Sequence, residues 1–272
     1  MHKAELLSLL QRLELHPSRK LGQNFLLDEN CLGALVREAA PKSGERILEI
    51  GPGTGVLTER LLAAGCQVTA IEYDARLAAF LRERFAGQDA LTLIQGDACH
   101  ADFAALFPEG APWRCIANLP YSCASVLLAG MNACANPPAA FHVLLQREMA
   151  ERLTAPPGTR EYGVLTARLA FSYRASICRI VPRGVFFPPP EIDSAFLALV
   201  RLENAPPPAL RARADQIAGI AFAQRRKQAR RLLEAAFPHA DVPAAFAALG
   251  ISADARAEVI APAQYLKLAA SI

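Results

Sequence analysis

The sequence predicts an α/β fold, with a mostly parallel sheet covered by helices on both faces and then a small C-terminal all-helical domain. Three observations predict it. Short apolar runs alternate with helix-period segments from Glu45 onward, a glycine-rich turn joins the first run to the first helical pattern, and a proline run precedes a purely helical tail. The runs Arg46 to Ile50, Gln67 to Glu72, Leu91 to Gly96, Arg114 to Ala117 and Phe141 to Leu145 read as strands. Between them Val56, Leu57, Leu61 and Leu62, then Leu77, Phe80, Leu81 and Phe85, recur at helical spacing, so each segment has an apolar face to lay on the sheet. Two later β-type runs, Phe171 to Val181 and Ala195 to Leu202, follow each other with no helical pattern between them, which predicts an antiparallel pair completing the sheet. Pro206, Pro207 and Pro208 stiffen the chain, so the domains are expected at 1–203 and 204–272. So short a tail buries little core alone and is expected to dock against the first domain.

With 272 residues, 53% hydrophobic and 20% charged, the chain can bury a full core. No apolar stretch approaches the roughly 18 residues of a membrane span. Lys3, Glu5, Gln11, Arg12 and Glu14 interrupt the N-terminus as no signal peptide allows, so a cytoplasmic location is expected. The seven cysteines are odd in number and none forms a C-x-x-C pair, which argues against a disulfide framework and a zinc ribbon; buried, inert thiols and no metal are expected. A net charge of +3 is too small to demand a nucleic-acid partner, so the distribution of charge matters more.

Glu49-Ile50-Gly51-Pro52-Gly53-Thr54-Gly55 lies where a strand ends and a helix begins, the place where an α/β sheet binds its ligand. A pyrophosphate-binding fingerprint needs glycine at the position of Val56, so NAD and FAD are disfavoured. Glu72 closes the second strand, where a carboxylate can accept from both ribose hydroxyls, and Asp97 follows the third, where it can accept from an adenine amino group. Each acid alone is an ordinary solvated strand end. Three ligand-type residues at successive strand ends resemble the Rossmann-like S-adenosylmethionine methyltransferases, in which the glycine loop receives the methionine part and the acids hold the nucleoside.

After the fourth strand comes Asn118-Leu119-Pro120-Tyr121, which resembles the (Asp/Asn/Ser)-x-Pro-(Tyr/Phe) motif of amino methyltransferases acting on adenine or cytosine. The residue types suit that chemistry. An adenine amine is a poor nucleophile because its lone pair is delocalised into the ring, so acceptors on its hydrogens favour a more pyramidal nitrogen. Asn118 offers a side-chain carbonyl, the Leu119 carbonyl is the second candidate with Pro120 fixing the local backbone, and Tyr121 can stack on an extruded base.

Over nearly its whole length the chain resembles the KsgA family of small-subunit ribosomal RNA adenine dimethyltransferases. The match opens at Arg19-Lys20-Leu21-Gly22-Gln23-Asn24-Phe25-Leu26, where the resemblance implies that Asn24 and Leu26 touch the cofactor. It runs through Glu49 to Gly55, with Gly51 and Gly53 at the cofactor, then Glu72, Asp97, Asn118 to Tyr121, Leu145 to Leu153, Tyr162-Gly163 and Phe186 to Ser194. It implies that Phe186, and not Phe187, lies over the target adenine opposite Tyr121. Glu191 stands where the family usually has lysine, which weakens one expected phosphate contact. Gln224 to Arg231 resembles the family's basic stretch, and Arg225, Arg226, Lys227 and Arg230 are expected to bind RNA phosphate, although a basic run on a helix is usually a solvated face.

The resemblance implies S-adenosylmethionine as cofactor and, as product, N6,N6-dimethyladenosine at two adjacent adenosines near the 3′ end of small-subunit RNA. The implied partner is that RNA within an immature small subunit, with no membrane, no metal and a monomeric chain. The alternatives are an Erm-like large-subunit adenine methyltransferase, a DNA adenine methyltransferase and an assembly factor whose catalysis is dispensable. The C-terminal basic segment and the stretch ending Ile192-Asp193-Ser194 favour KsgA over Erm, no insertion provides a duplex-reading domain, and an intact Asn118 to Tyr121 motif argues for retained catalysis.

Overall fold

The computed structural model describes residues 2–17 and 22–272, so Arg19, Lys20 and Leu21 of the N-terminal signature lie outside the described residues. The chain order is α1 Lys3–Arg12, β1 Phe25–Leu26, α2 Glu29–Ala39, β2 Arg46–Ile50, α3 Val56–Ala63, β3 Gln67–Glu72, α4 Ala75–Arg84, β4 Leu91–Gln95, α5 Phe103–Leu106, β5 Trp113–Asn118, α6 Ala124–Ala133 and β6 Ala140–Gln146. It continues with α7 Arg147–Leu153, α8 Val164–Ala170, β7 Tyr173–Val181, β8 Phe186–Phe187, β9 Ser194–Arg201, α9 Pro208–Phe222, α10 Ala229–Ala236, α11 Val242–Ala248 and α12 Pro262–Ser271. Among the described residues, no helix is long and apolar enough to cross a membrane.

Seven strands form one sheet in the order β4-β3-β2-β5-β6-β9-β7. The pairs β4–β3, β3–β2, β2–β5 and β5–β6 are parallel, which brings the carboxyl ends of these strands to one edge. The direction of travel through the sheet reverses between β2 and β5, and such a switch point opens a crevice for a ligand. β9 and β7 complete the sheet. The Leu202 N–H donates to the Ser172 carbonyl, while the Ala198 backbone lies against the Cys178 thiol, so residue number falls on one strand as it rises on the other and the pair is antiparallel.

Helices form where the expected faces are apolar and where side chains satisfy the free N–H groups of the first turn. Asp28 caps α2 through the Cys31 N–H, and Asp74 caps α4 through Arg76 and Leu77. Leu32 and Leu35 of α2 and Leu61 of α3 pack with Ile47, Val68 and Ile116 of the sheet in one core. Removing any of these side chains leaves a cavity costing about 2 to 5 kcal/mol.

Packing divides the chain into two units, Met1–Ala150 with Ser176–Leu199, and Glu151–Ala175 with Val200–Ile272. The second unit is larger than the expected tail 204–272 because residues 151–175 belong with it. The reason is burial. The tail's helices alone offer too little apolar area, and Tyr162, Ala167 and Phe171 supply it against Ile217, Ala218, Phe222, Phe246 and Tyr265. This unit carries 14 Lys and Arg against 8 Asp and Glu, while the first carries 15 against 18, so the small net charge conceals a basic unit and an acidic one. Only Cys66 and Cys115 are fully buried; the other five thiols are at least partly open, contrary to the expectation of uniformly inert ones.

Candidate active site

A cavity of about 290 Å³ lies within the first unit at the sheet's switch point. Asn24, Leu26, Gly51, Gly53, Glu72, Asp97, Asn118, Leu119, Pro120 and Tyr121 all line it, so residues read from five separate stretches of sequence meet in one place.

The glycine turn has the backbone that glycine permits. Gly51, Gly53 and Gly55 have φ of 68°, 59° and 80°. A Cβ on Gly53 would stand 3.3 Å from the Phe25 ring, and one on Gly55 would stand 2.7 Å from Phe85. The first glycine leaves the cavity open, whereas the last is demanded by the packing of α3 on α4. Gly22 has a similar role that the sequence reading did not assign. Its φ is 65° and a Cβ there would meet the Tyr121 backbone nitrogen at 3.0 Å, so this glycine lets the backbone at position 22 lie directly on the reaction motif.

Glu72 is buried and its two oxygens accept different N–H groups, Gly53 at 3.0 Å and Asp74 at 2.9 Å. One carboxylate thereby ties the glycine turn to the end of β3, and each oxygen keeps a lone pair for a ribose hydroxyl. Burial raises its pKa, and the N–H groups of Asp74 and Gly53 oppose the rise. Asp97 is exposed and accepts from the Cys99 N–H at 2.8 Å and faces His100 Nδ1 at 3.1 Å; the Cys99 N–H holds its carboxyl below the usual range.

Glu49 and Tyr73 also line the cavity, and neither had an assigned role in the sequence. Glu49 is 2% exposed, accepts from Thr58 Oγ1 at 2.7 Å, and is pushed up to about 8 by burial. Tyr73 is 58% exposed at the rim, an aromatic face open to a flat ring. Nothing in a strand-end Glu-Tyr-Asp distinguishes such a tyrosine from a solvated one.

In the reaction motif Asn118 Nδ2 donates to the Asn24 carbonyl at 3.1 Å, and Asn24 Nδ2 in turn donates to the Gly22 carbonyl at 3.1 Å. This chain orients the Asn118 amide so that Oδ1 remains an acceptor. The Leu119 N–H donates to the Leu144 carbonyl, and the Pro120 carbonyl is occupied by the Cys123 N–H. Tyr121 is half-buried, and its hydroxyl hydrogen-bonds to Ser194, a fully buried residue. Ser194 too had no assigned role, since 73 residues separate the partners.

Phe186 lies one strand pairing away from the cavity wall. It is 3% exposed, pairs with Leu26 in the two-stranded β1–β8 sheet and packs among Leu32, Leu35 and Phe196, so its ring does not line the cavity. Phe186 packs in the core of the first unit, and its backbone partner Leu26 is the member of the pair that lines the cofactor cavity. Phe187 packs on α1 with Leu6 and Leu10, and Lys3 Nζ lies 5.3 Å from its ring centroid. Arg183 donates to the Glu191 carbonyl, so that segment is held through its backbone.

Only the end of the basic stretch, Ala229 to Arg231, is on a helix. Residues 223–228 form the turn between α9 and α10, because Gln224 to Gln228 carry no apolar side chain to lay on the core. Arg225 donates to the Arg160 and Tyr162 carbonyls, and Arg230 faces Glu234 at 3.5 Å. Arg226 and Lys227 are exposed.

Among the described residues no cluster of His, Cys, Asp and Glu has the arrangement of a metal site. The cavity instead combines a turn open to close approach, two carboxylates and an oriented amide, and these residues fit S-adenosylmethionine.

Comparison with known proteins agrees with this geometry. The chain is 40% identical over 273 residues to ribosomal RNA small subunit methyltransferase A of Anaeromyxobacter sp. (strain K), covering 96% of this chain and 95% of that protein. It is 40% identical over 258 residues to the protein of that name from Deinococcus radiodurans, covering 94% and 85%. Among solved structures, a dimethyladenosine transferase from Plasmodium falciparum has a TM-score of 0.75 at 25% identity, covering 90% of this chain and 95% of that one. The 23S rRNA methyltransferase ErmE has a TM-score of 0.68 at 26% identity, covering 91% and 99%. The model of the ribosomal RNA adenine dimethylase family matches residues 16–272, and the chain belongs to that family of S-adenosylmethionine-dependent enzymes.

Proposed function

We propose that the protein dimethylates the N6 amines of two adjacent adenosines near the 3′ end of small-subunit ribosomal RNA, within an immature small subunit in the cytoplasm. The observation that carries the reading is the Asn118 amide, turned by the Asn24 carbonyl so that its oxygen is an acceptor on the cofactor cavity. Names of relatives 40% identical over nearly the full chain support the small subunit as source of the RNA.

When bound, the cofactor supplies an electrophilic methyl group on a sulfonium. Glu72 would hold its ribose, Asp97 its adenine amine, and Asn24, Leu26, Gly51 and Gly53 the remaining wall. Asn118 Oδ1 and the Leu119 carbonyl accept from the target amine's hydrogens, which draws its lone pair out of the ring. Both are neutral acceptors, and neither removes a proton before transfer, since the N–H becomes acidic only once the methyl has been received. Orientation is thus the main contribution of the protein. A monomethylated nitrogen keeps one hydrogen for these acceptors, so a second transfer is allowed. Tyr121 and Phe186 grip the base by its ring and not by its amine.

Arg226 and Lys227 contact RNA phosphates from a turn that leaves both side chains in solvent, with Arg225 and Arg230 as secondary contacts because backbone carbonyls and Glu234 already engage them. Unpaired loop adenosines are the favoured targets because they splay out at little cost. The test incubates the purified monomeric chain with labelled cofactor and small subunits from cells lacking the activity, then identifies nucleosides by mass spectrometry. Dimethyladenosine in small-subunit RNA is expected. Monomethyladenosine alone at saturation, or label in large-subunit RNA, would replace this reading with an Erm-like one.

A further inference from the structure

Cys99 and Cys123 take no part in the chemistry above, yet both line the cofactor cavity. Cys99 lies in the short turn 98–100 that Asp97 caps, and Cys123 stands two residues after Tyr121, at the start of α6. That turn packs against α6, which brings the two thiols to one side of the cavity, near enough for each to act on the other's ionisation. The Cys123 thiol also reaches the Pro120 carbonyl at 3.6 Å. Both residues are partly exposed, unlike Cys66 and Cys115.

Burial and the adjoining thiol push Cys99 up to about 12, and burial raises Cys123 as well, so both remain protonated at neutral pH. Oxidants that need a thiolate are therefore poorly served. A trivalent arsenic oxide reacts differently. Two S–H bonds and one As=O become two As–S bonds and one water; both thiol protons leave on the oxide oxygen, no net proton is released, and arsenic stays trivalent. Two adjoining protonated thiols suit this condensation, and a single cysteine cannot complete it.

We propose that Cys99 and Cys123 form a dithiol site that takes a trivalent arsenical beside the Asp97 end of the cofactor cavity. The bridge fastens the 98–100 turn to the reaction segment and occupies volume that the cofactor needs.

Phenylarsine oxide added to the full-length chain provides the test, read by intact mass and peptide mapping. One phenylarsenic group should bridge the peptides carrying Cys99 and Cys123, resist 2-mercaptoethanol and be released by 2,3-dimercaptopropanol. Calorimetric S-adenosylmethionine affinity should fall by about tenfold or more, since a filled pocket excludes its ligand. Saturating cofactor should slow the adduct's formation. Cys99→Ser and Cys123→Ser should each lose the monothiol-resistant adduct. If mapping of the unmodified sequence places the bridge on other cysteines, if a monothiol strips it, or if it persists in both serine variants, the pairing is wrong. Adduct formation at an unchanged rate with cofactor present would overturn its location.

Discussion

The Tyr121 and Ser194 hydroxyls share a hydrogen bond that joins the reaction motif to the start of β9. Tyr121→Phe keeps the ring but strands a fully buried serine hydroxyl, at a cost of about 1 to 3 kcal/mol. Tyr121→Ala also loses base stacking, about 1 to 3 kcal/mol more. Adding Ser194→Ala to Tyr121→Phe should cost less than Ser194→Ala alone, because both partners of one bond are then gone. Single-turnover rates checked against thermal midpoints decide it. Equal losses in the Phe and Ala variants would mean the ring itself does not matter.

Glu72→Ala should weaken S-adenosylmethionine binding by roughly 1 to 3 kcal/mol, from the lost ribose acceptors and from release of the Gly53 N–H. Glu72→Gln should fall between, since one of its two positions becomes a donor facing an N–H. Calorimetric titration of folded variants measures both, and an unchanged affinity in the alanine variant removes Glu72 from the ribose role.

Glu49 sets a pH dependence whose sign follows from its burial. Its pKa is about 8 in the fold against an ordinary value of 4.5, so between those values the folded state holds a proton that the unfolded state has released. Stability is therefore full below about 4.5 and is lost as pH rises toward 8. Glu72, also raised by burial, acts in the same direction. Glu49→Gln keeps an acceptor for Thr58 and should flatten the fall, as denaturant midpoints from pH 5 to 8 would show. An unchanged slope in that variant would assign the dependence to other groups.

Replacing Arg226 and Lys227 together by alanine should weaken RNA binding and reduce its log-log salt slope by up to about 2. Cofactor binding should be spared. Arg225→Ala should instead lower thermal stability, since it frees the Arg160 and Tyr162 carbonyls. Salt titrations of binding to small-subunit RNA separate these effects, and a slope equal to the parent's leaves the turn a solvated one.

The sequence by itself determined the seven strands of the main sheet, because apolar runs and helix periods are local signals: β2 and β3 lie at the expected bounds and β4, β5, β6, β7 and β9 within two residues of them, whereas the two-residue β1 and β8 were not expected. It also determined the cofactor and reaction motifs, whose residue types follow from the chemistry of ribose, adenine and an amine. Tertiary structure alone decided the rest. Parallel pairing and the reversal between β2 and β5 brought Gly51, Glu72, Asp97 and Asn118 to one cavity, and no single stretch of chain encodes that proximity. The Asn118–Asn24 and Tyr121–Ser194 bonds join residues 94 and 73 positions apart, beyond any periodicity. Residues 151–175 went to the helical unit because buried area, and not chain order, selects a residue's core. The packing of Phe186 with Leu26, Leu32 and Phe196 was likewise hidden from the sequence, because an aromatic ring reads alike whatever surrounds it.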